Sequence, residues 1–380
     1  MEELDKEFDV AFKKYGGIYD LTSYDEKTYF KSIILNCRQH ITRFQSSLVN
    51  PPYIHLGIIN NTSFNAVAAK FESKYFIGIN LGTILTLDSI FNRMLSNPEI
   101  LKEYGNSCDE KIYEKVFTTQ IPDFEALYNI TGNAPVPKDA TRRLLVSHFT
   151  IGALLFLTGH EYGHIASGHI DYKESLGFRS VIKELNNMGD RNWDLDPSLS
   201  QTLEMDADCT GLVYCYRNAI VLVSNINICP PLFRLFYSDV STALSLMFFP
   251  VYTLWRIFGM FEGDADKLGI STHPSPATRQ YISFLLLATL ISTPTETPNV
   301  TDLEGLEVFK SLMNTMKDVE HAFSIISEQP FIEVVSMFTP EIKAHAKFLQ
   351  RNWDEVRSLI EPFAIVPLAP YDRDYENINN

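Results

Sequence analysis

His160-Glu161-Tyr162-Gly163-His164 sets two imidazoles four residues apart with a carboxylate beside the first. On a helix, positions i and i+4 share a face. Two imidazoles held that way can ligate one divalent metal, and nitrogen ligands of this kind suit zinc, one ion per chain. Glu161 follows the first imidazole and is placed to serve as general base toward a metal-activated water. The apolar run 144–157 just before the motif predicts the buried half of the same helix, which would give the site a rigid support.

A catalytic zinc usually takes three protein ligands, so a third is needed. His169 lies five residues past His164. Five residues are about 500° of helical rotation, which takes His169 off the ligand face unless the helix ends. It is therefore read as an exposed residue or as a support for a ligand. Glu204 and Asp208 are again four apart, on a helix read over 202–217 and announced by Pro197 with Ser198 or Ser200. One carboxylate of such a pair can bind metal, and the other can accept the spare N–H of a ligating imidazole. Glu204 is the expected ligand and Asp208 the expected support. Asp206 is offset on that helix and is expected to face elsewhere.

HEYGHIASGH followed by EMDAD resembles the gluzincin metallopeptidases, and most of all the superfamily of HtpX heat-shock proteases and CAAX prenyl proteases. Those proteins carry a further His-Pro element that ends in Arg. Here it reads STHPSPATR, with His273 and Arg279 six residues apart. FNAVAAKFESKYFIGINLG at 64–82 resembles the strand pair ahead of their active helix. The likeness covers roughly 53–95 and 142–285. It implies an α+β, mostly helical zincin-like fold with a small sheet packed by the HExxH helix. It implies zinc on His160, His164 and Glu204, Glu161 as base, and Asp208 orienting a ligand imidazole. His273 would hydrogen-bond the oxyanion, and Arg279 would organise its loop or contact substrate or a nearby carboxylate. The membrane-embedded relatives have clear spanning helices that this chain lacks. A weaker likeness, in length class and motif placement, is to the phage-exclusion peptidase Lit.

The 380 residues are 45% hydrophobic, enough for a sizeable core. A net charge of −15 argues against nucleic-acid partners, which call for basic surface. The acidic N-terminus MEELDKEFDV has no secretory pattern. Five scattered cysteines without a CxxC read as free, mostly structural thiols of a cytosolic protein. The stretch 242–261, interrupted by Pro250 and Arg256, reads as a core helix with peripheral membrane contact as its alternative.

Three parts are expected: an N-terminal helical segment over 1–52, a peptidase domain over 53–295 and a C-terminal helical extension over 296–380. Helices are read over 4–15, 24–48 and 83–95. Strands are read over 53–60, 64–71 and 74–82, joined by tight turns at Asn60-Asn61 and Glu72-Ser73. The active helix starts near Asp139 or Thr141. The stretches 96–140 and 171–200 are read as loops, the first holding short helices, and the last dozen residues as loosely ordered. The edge strand within 64–82 would take an extended protein or peptide substrate by strand addition. The expected function is a zinc metalloendopeptidase. The alternatives are a latent defence- or toxin-type protease awaiting an activating partner, and a non-catalytic scaffold that keeps structural zinc.

Overall fold

The computed structural model describes residues 3–21, 28–46, 48–111, 124–183, 195–262, 271–293, 296, 302–327 and 330–369. Helices α1 (Glu3–Phe12) and α2 (Thr28–Gln45) lead into strands β1 (Ile54–Ile59), β2 (Ala66–Phe71) and β3 (Lys74–Asn80). Then come α3 (Leu81–Leu95), α4 (Phe124–Gly132), α5 (Ala140–Ala166), α6 (His169–Ser175) and a short β4 (Val181–Lys183). The rest is helical: α7 (Pro197–Ser224), α8 (Val240–Glu262), α9 (Pro276–Ser292), α10 (Asp302–Ile326) and α11 (Pro340–Ile360). The fold is α+β, mostly helical, with one mixed four-stranded sheet in the order β1-β3-β2-β4.

The sheet corrects two expectations. β1 and β2 are not neighbours: β3 lies between them, parallel to β1 and antiparallel to β2. Only the turn at Glu72-Ser73 closes a hairpin, with Glu72 at φ 55. Asn60-Asn61 instead starts a crossing segment, in which the Asn61 carbonyl accepts from Gly82 N–H at 2.9 Å. Nor does 64–82 hold an open edge. β3 is central, and β2 is paired on its outer side with β4 through Val67, Ala68 and Ala69. The region read as a loop over 171–200 thus supplies part of α6, a strand and the start of α7, with 184–194 outside the described residues.

Strand alternation explains why the sheet sits where it does. Ile59, Val67, Ala69 and Phe76 point to one face and are covered by Phe8 and Phe12 of α1. Leu56, Ile58, Ala66, Ala68, Ile77 and Ile79 point to the other and join the main core with α2, α3 and α5. The N-terminal segment therefore closes one side of the sheet. The C-terminal helices are equally built in. Val308, Leu312, Met316 and Val319 of α10 belong to the main core. Ala346, Leu349, Trp353 and Val356 of α11 pack with Leu203 and Met205 of α7. Among the described residues neither terminal part has a core of its own. The last dozen residues lie outside the described residues except Ala369.

α8 runs unbroken through Pro250. Its Arg256 makes a buried pair with Glu320 of α10, Nε to Oε1 at 3.2 Å, and Tyr252 donates to the same carboxylate at 3.0 Å. Two helical stretches, Ala140–Ala166 and Val240–Met260, are long and apolar enough to cross a membrane, which corrects the expectation that the chain offers none. In their most apolar windows, 72% and 78% of residues are buried inside the protein, so packing accounts for their composition.

The segment after α3 has little regular structure and is organised by one side chain. Arg142, fully buried in the first turn of α5, donates through Nε to Leu95, through Nη1 to Leu101 and Tyr104, and through Nη2 to Asn97 and Ile100. All five acceptors are backbone carbonyls at 2.7–3.0 Å, so the guanidinium is saturated. Asp139 caps the same turn by accepting from Arg142 N–H at 3.0 Å. Removing the guanidinium leaves those carbonyls without donors, at a cost of about 1–3 kcal/mol for each group left buried. Arg142→Met is expected to lower the unfolding free energy by at least about 3 kcal/mol, measured by the urea midpoint. Arg142→Lys should recover only part of it, since an ammonium has three donors.

Candidate metal centre

The site is built where α5 crosses α7, and small residues set how near the two backbones come. A Cβ on Gly159 would stand 3.0 Å from Gly211 Cα, and one on Gly211 only 2.9 Å from the Phe156 carbonyl oxygen. Gly163 meets Ala207 Cα at 3.1 Å by the same measure. Each helix thus offers small residues four apart to the other. This close approach lets the short arm of Glu204 reach both imidazoles of α5.

His160 Nε2 and His164 Nε2 lie 3.0 Å apart, and Glu204 Oε2 lies 3.3 and 3.6 Å from them. The three donor atoms fall within 4.8 Å of one another, and all three residues are buried. Among the described residues, Glu204 Oε2 has no hydrogen-bond partner. A buried carboxylate oxygen left that way is costly unless a cation takes its lone pairs. Ligands about 2.1 Å from an ion at tetrahedral angles stand about 3.4 Å apart, which is the spacing seen here. The group can hold a metal ion.

Protonation points the same way. Asp208 Oδ1 lies 2.9 Å from His160 Nδ1. A carboxylate only accepts, so His160 carries its proton on Nδ1 and turns a bare Nε2 to the site. Burial pulls His164 down to about 4, against the opposing pull of the Glu204 charge. Burial raises Glu204, but electrostatic interaction with the His273 and His164 imidazoles beside it outweighs that and holds the carboxyl well below its usual range. Neutral imidazoles and an ionised carboxylate are the forms that bind metal.

Asp208 is itself fixed. Arg279, 1% exposed, donates to it twice, Nε to Oδ2 at 2.8 Å and Nη2 to Oδ1 at 2.6 Å. The guanidinium also lies over the Trp255 ring at 4.1 Å and the Phe258 ring at 5.1 Å. Arg279 thus acts on the site through Asp208 and His160. Glu161 is fully buried on the α5 turn between the two histidines.

His273 sits in the short segment before α9, 4% exposed, with Nε2 3.5 Å from Glu204 Oε2. It is not among the three residues whose donor atoms cluster. Thr272 Oγ1 lies 2.9 Å from its Nδ1 and can donate there, leaving a proton on Nε2. Its loop is strapped from two sides. Gln201 Nε2 donates to the Ser271 carbonyl at 2.7 Å, and His345 Nε2 of α11 meets Gln201 Oε1 at 2.8 Å. His345 Nδ1 in turn meets Thr278 Oγ1 at 3.1 Å.

Comparisons of the chain with family models, curated proteins and solved structures find no match. The gluzincin likeness therefore rests on this chain's own residues.

The structure brings all seven expected site residues, His160, Glu161, His164, Glu204, Asp208, His273 and Arg279, into one buried region. Two readings become specific. Of the two roles left open for His169, exposure is ruled out: it is fully buried against His164, because α5 stops at Ala166 and the chain turns back. Asp206 faces away from the Glu204 and Asp208 side, and its Oδ2 lies 3.2 Å from His169 Nε2. Gln201 and His345 had no sequence signal, since their roles depend on how α11 docks. Cys209 and Cys215 are free thiols raised by burial.

Proposed function

We propose that this chain is a cytosolic zinc metalloendopeptidase of gluzincin type, with a zincin-like fold and one Zn2+ per chain. The observation that carries the reading is the convergence of His160, His164 and Glu204 next to the buried Glu161. A structural zinc site is closed by four protein ligands and has no use for an adjacent carboxylate base. Among the described residues this group has three, and His273, though 3.5 Å from Glu204 Oε2, is not one of them.

Bound zinc would supply Lewis acidity to the peptide carbonyl and lower the pKa of water. The chain's residues do the rest. Glu161 takes the proton of the attacking water as its oxygen bonds to the carbonyl carbon. It then delivers that proton to the leaving amine as the C–N bond breaks. His273 donates its Nε2–H to the carbonyl oxygen as negative charge grows there. Asp208 and Arg279 keep His160 in the metal-binding tautomer. The substrate class is a protein or peptide chain in extended form. The strand-addition edge expected within 64–82 is taken by β4, so the substrate must dock elsewhere.

One observation favours a second reading within the first. His160 and Glu161 are fully buried, and His164, Glu204 and His273 nearly so. A substrate cannot reach them without an opening of the site, which suits a latent protease released by a partner.

The test is metal content followed by chelation. The purified chain should hold one zinc by elemental mass spectrometry. Hydrolysis of an unfolded protein should stop on metal removal and return with zinc, or appear only with a partner added. A chain that takes no zinc under any condition would sink the reading.

A further inference from the structure

The two imidazoles of the metal centre are not supported alike. His160 leans on a carboxylate. His164 leans on another imidazole: its Nδ1 lies 2.9 Å from Nδ1 of His169. That contact exists because α5 ends early. Gly168 takes φ 79 and starts α6 at His169, turning the His169 ring back beneath His164. A non-glycine residue is strained in that conformation, and a Cβ there would stand 2.5 Å from Phe363 C. On the far side of His169, Nε2 lies 3.2 Å from Asp206 Oδ2 of α7. That contact is electrostatic rather than an aligned hydrogen bond. His169 is fully buried and Asp206 is 8% exposed.

We propose that His169 and Asp206 are a positioning pair that holds His164 in its metal-binding tautomer and so sets the affinity of the centre. The inference rests on the metal-centre reading above. The donor order follows from the two contacts. The carboxylate of Asp206 favours the proton on His169 Nε2, which leaves Nδ1 of His169 as an acceptor. Only a proton on His164 Nδ1 satisfies that acceptor, and it leaves His164 Nε2 bare toward His160 and Glu204. With His169 removed, His164 is free to protonate Nε2 and turn its lone pair away from the site. Asp206 and Asp208, two apart and so about 200° apart around α7, thereby serve different histidines.

The test uses the full chain stripped of metal and titrated with zinc against a chromophoric chelator. His169→Leu is expected to bind zinc about 10- to 100-fold more weakly. His169→Gln, whose amide oxygen can accept from His164, should recover most of the loss, and Asp206→Asn should fall between. Long-range proton–nitrogen spectra of the metal-free chain should show His164 protonated on Nδ1 in the wild type and a mixture of tautomers in His169→Leu. A merely structural His169 would not produce that change or the rescue by Gln. A folded His169→Leu that binds zinc within about twofold of wild type, well short of the loss expected for a ligand support, overturns the inference and leaves the metal centre standing. A wild type that binds no zinc overturns both.

Discussion

Glu161→Gln is expected to keep zinc and to lose hydrolysis by about 10²- to 10⁴-fold. Glutamine has the shape of glutamate, so the fully buried pocket at this position loses neither volume nor packing. None of the three clustered donor groups is touched. What goes is the carboxylate proposed to take a proton from water and return it to the leaving nitrogen, because an amide is not a base in this range. The measurement compares new protein N-termini in cells making the wild type and the variant, with zinc content read on both purified chains. Termini seen only with the wild type establish proteolysis and name the substrate at once. Equal cleavage by the two chains removes Glu161 from the mechanism. A metal-free variant would instead assign Glu161 to building the site.

The metal group was legible in the sequence because helical spacing is local. His160 and His164 share a face whatever the rest of the chain does, and so do Glu204 and Asp208. That the two pairs meet is a tertiary fact, and the sequence carried it only through the gluzincin likeness. A physical signal was present all the same. Gly159 and Gly163 on one helix, and Ala207 and Gly211 on the other, are small residues at the same spacing as the site pairs. They are what lets the backbones close to the distance the site needs.

His169 shows where a helical count runs out. The count takes it off the ligand face unless the helix ends and leaves exposure and support both open. The helix does stop, two residues short of Gly168, and exposure is what the turn rules out. Glycine past a helix end is itself a stop signal, so the turn could have been read. The strand order could not. A tight turn and a crossing segment look alike at Asn60-Asn61, and β4 is three residues long, below the length at which alternation can be recognised. The terminal parts looked separate because they lack motifs. Burial of Phe8 and Phe12 against the sheet, and of Trp353 against α7, joins them to the rest.

Glu204→Ala is expected to abolish zinc binding, with an affinity loss beyond the roughly 100-fold that removal of a ligand's support can cause. Two imidazoles 3.0 Å apart remain, but the charged donor is gone. A metal-dependent rise in stability should vanish with it. Zinc at 100 times its dissociation constant adds about 2.7 kcal/mol to a chain that binds it only when folded, so the wild type should show a zinc-dependent rise in Tm and the variant none. The metal-free chain supplies the control. There Glu204 interacts with His160, His164 and His273 at 3.3, 3.6 and 3.5 Å, and these neighbours hold its carboxyl well below the usual range, so its ionised form is stabilised by the fold. Metal-free Glu204→Ala should therefore have a somewhat lower Tm than metal-free wild type, and the decisive reading is the zinc-dependent shift, not the metal-free Tm. A large drop without metal, together with a preserved zinc shift, would make Glu204 a structural residue and leave the third ligand to be found elsewhere.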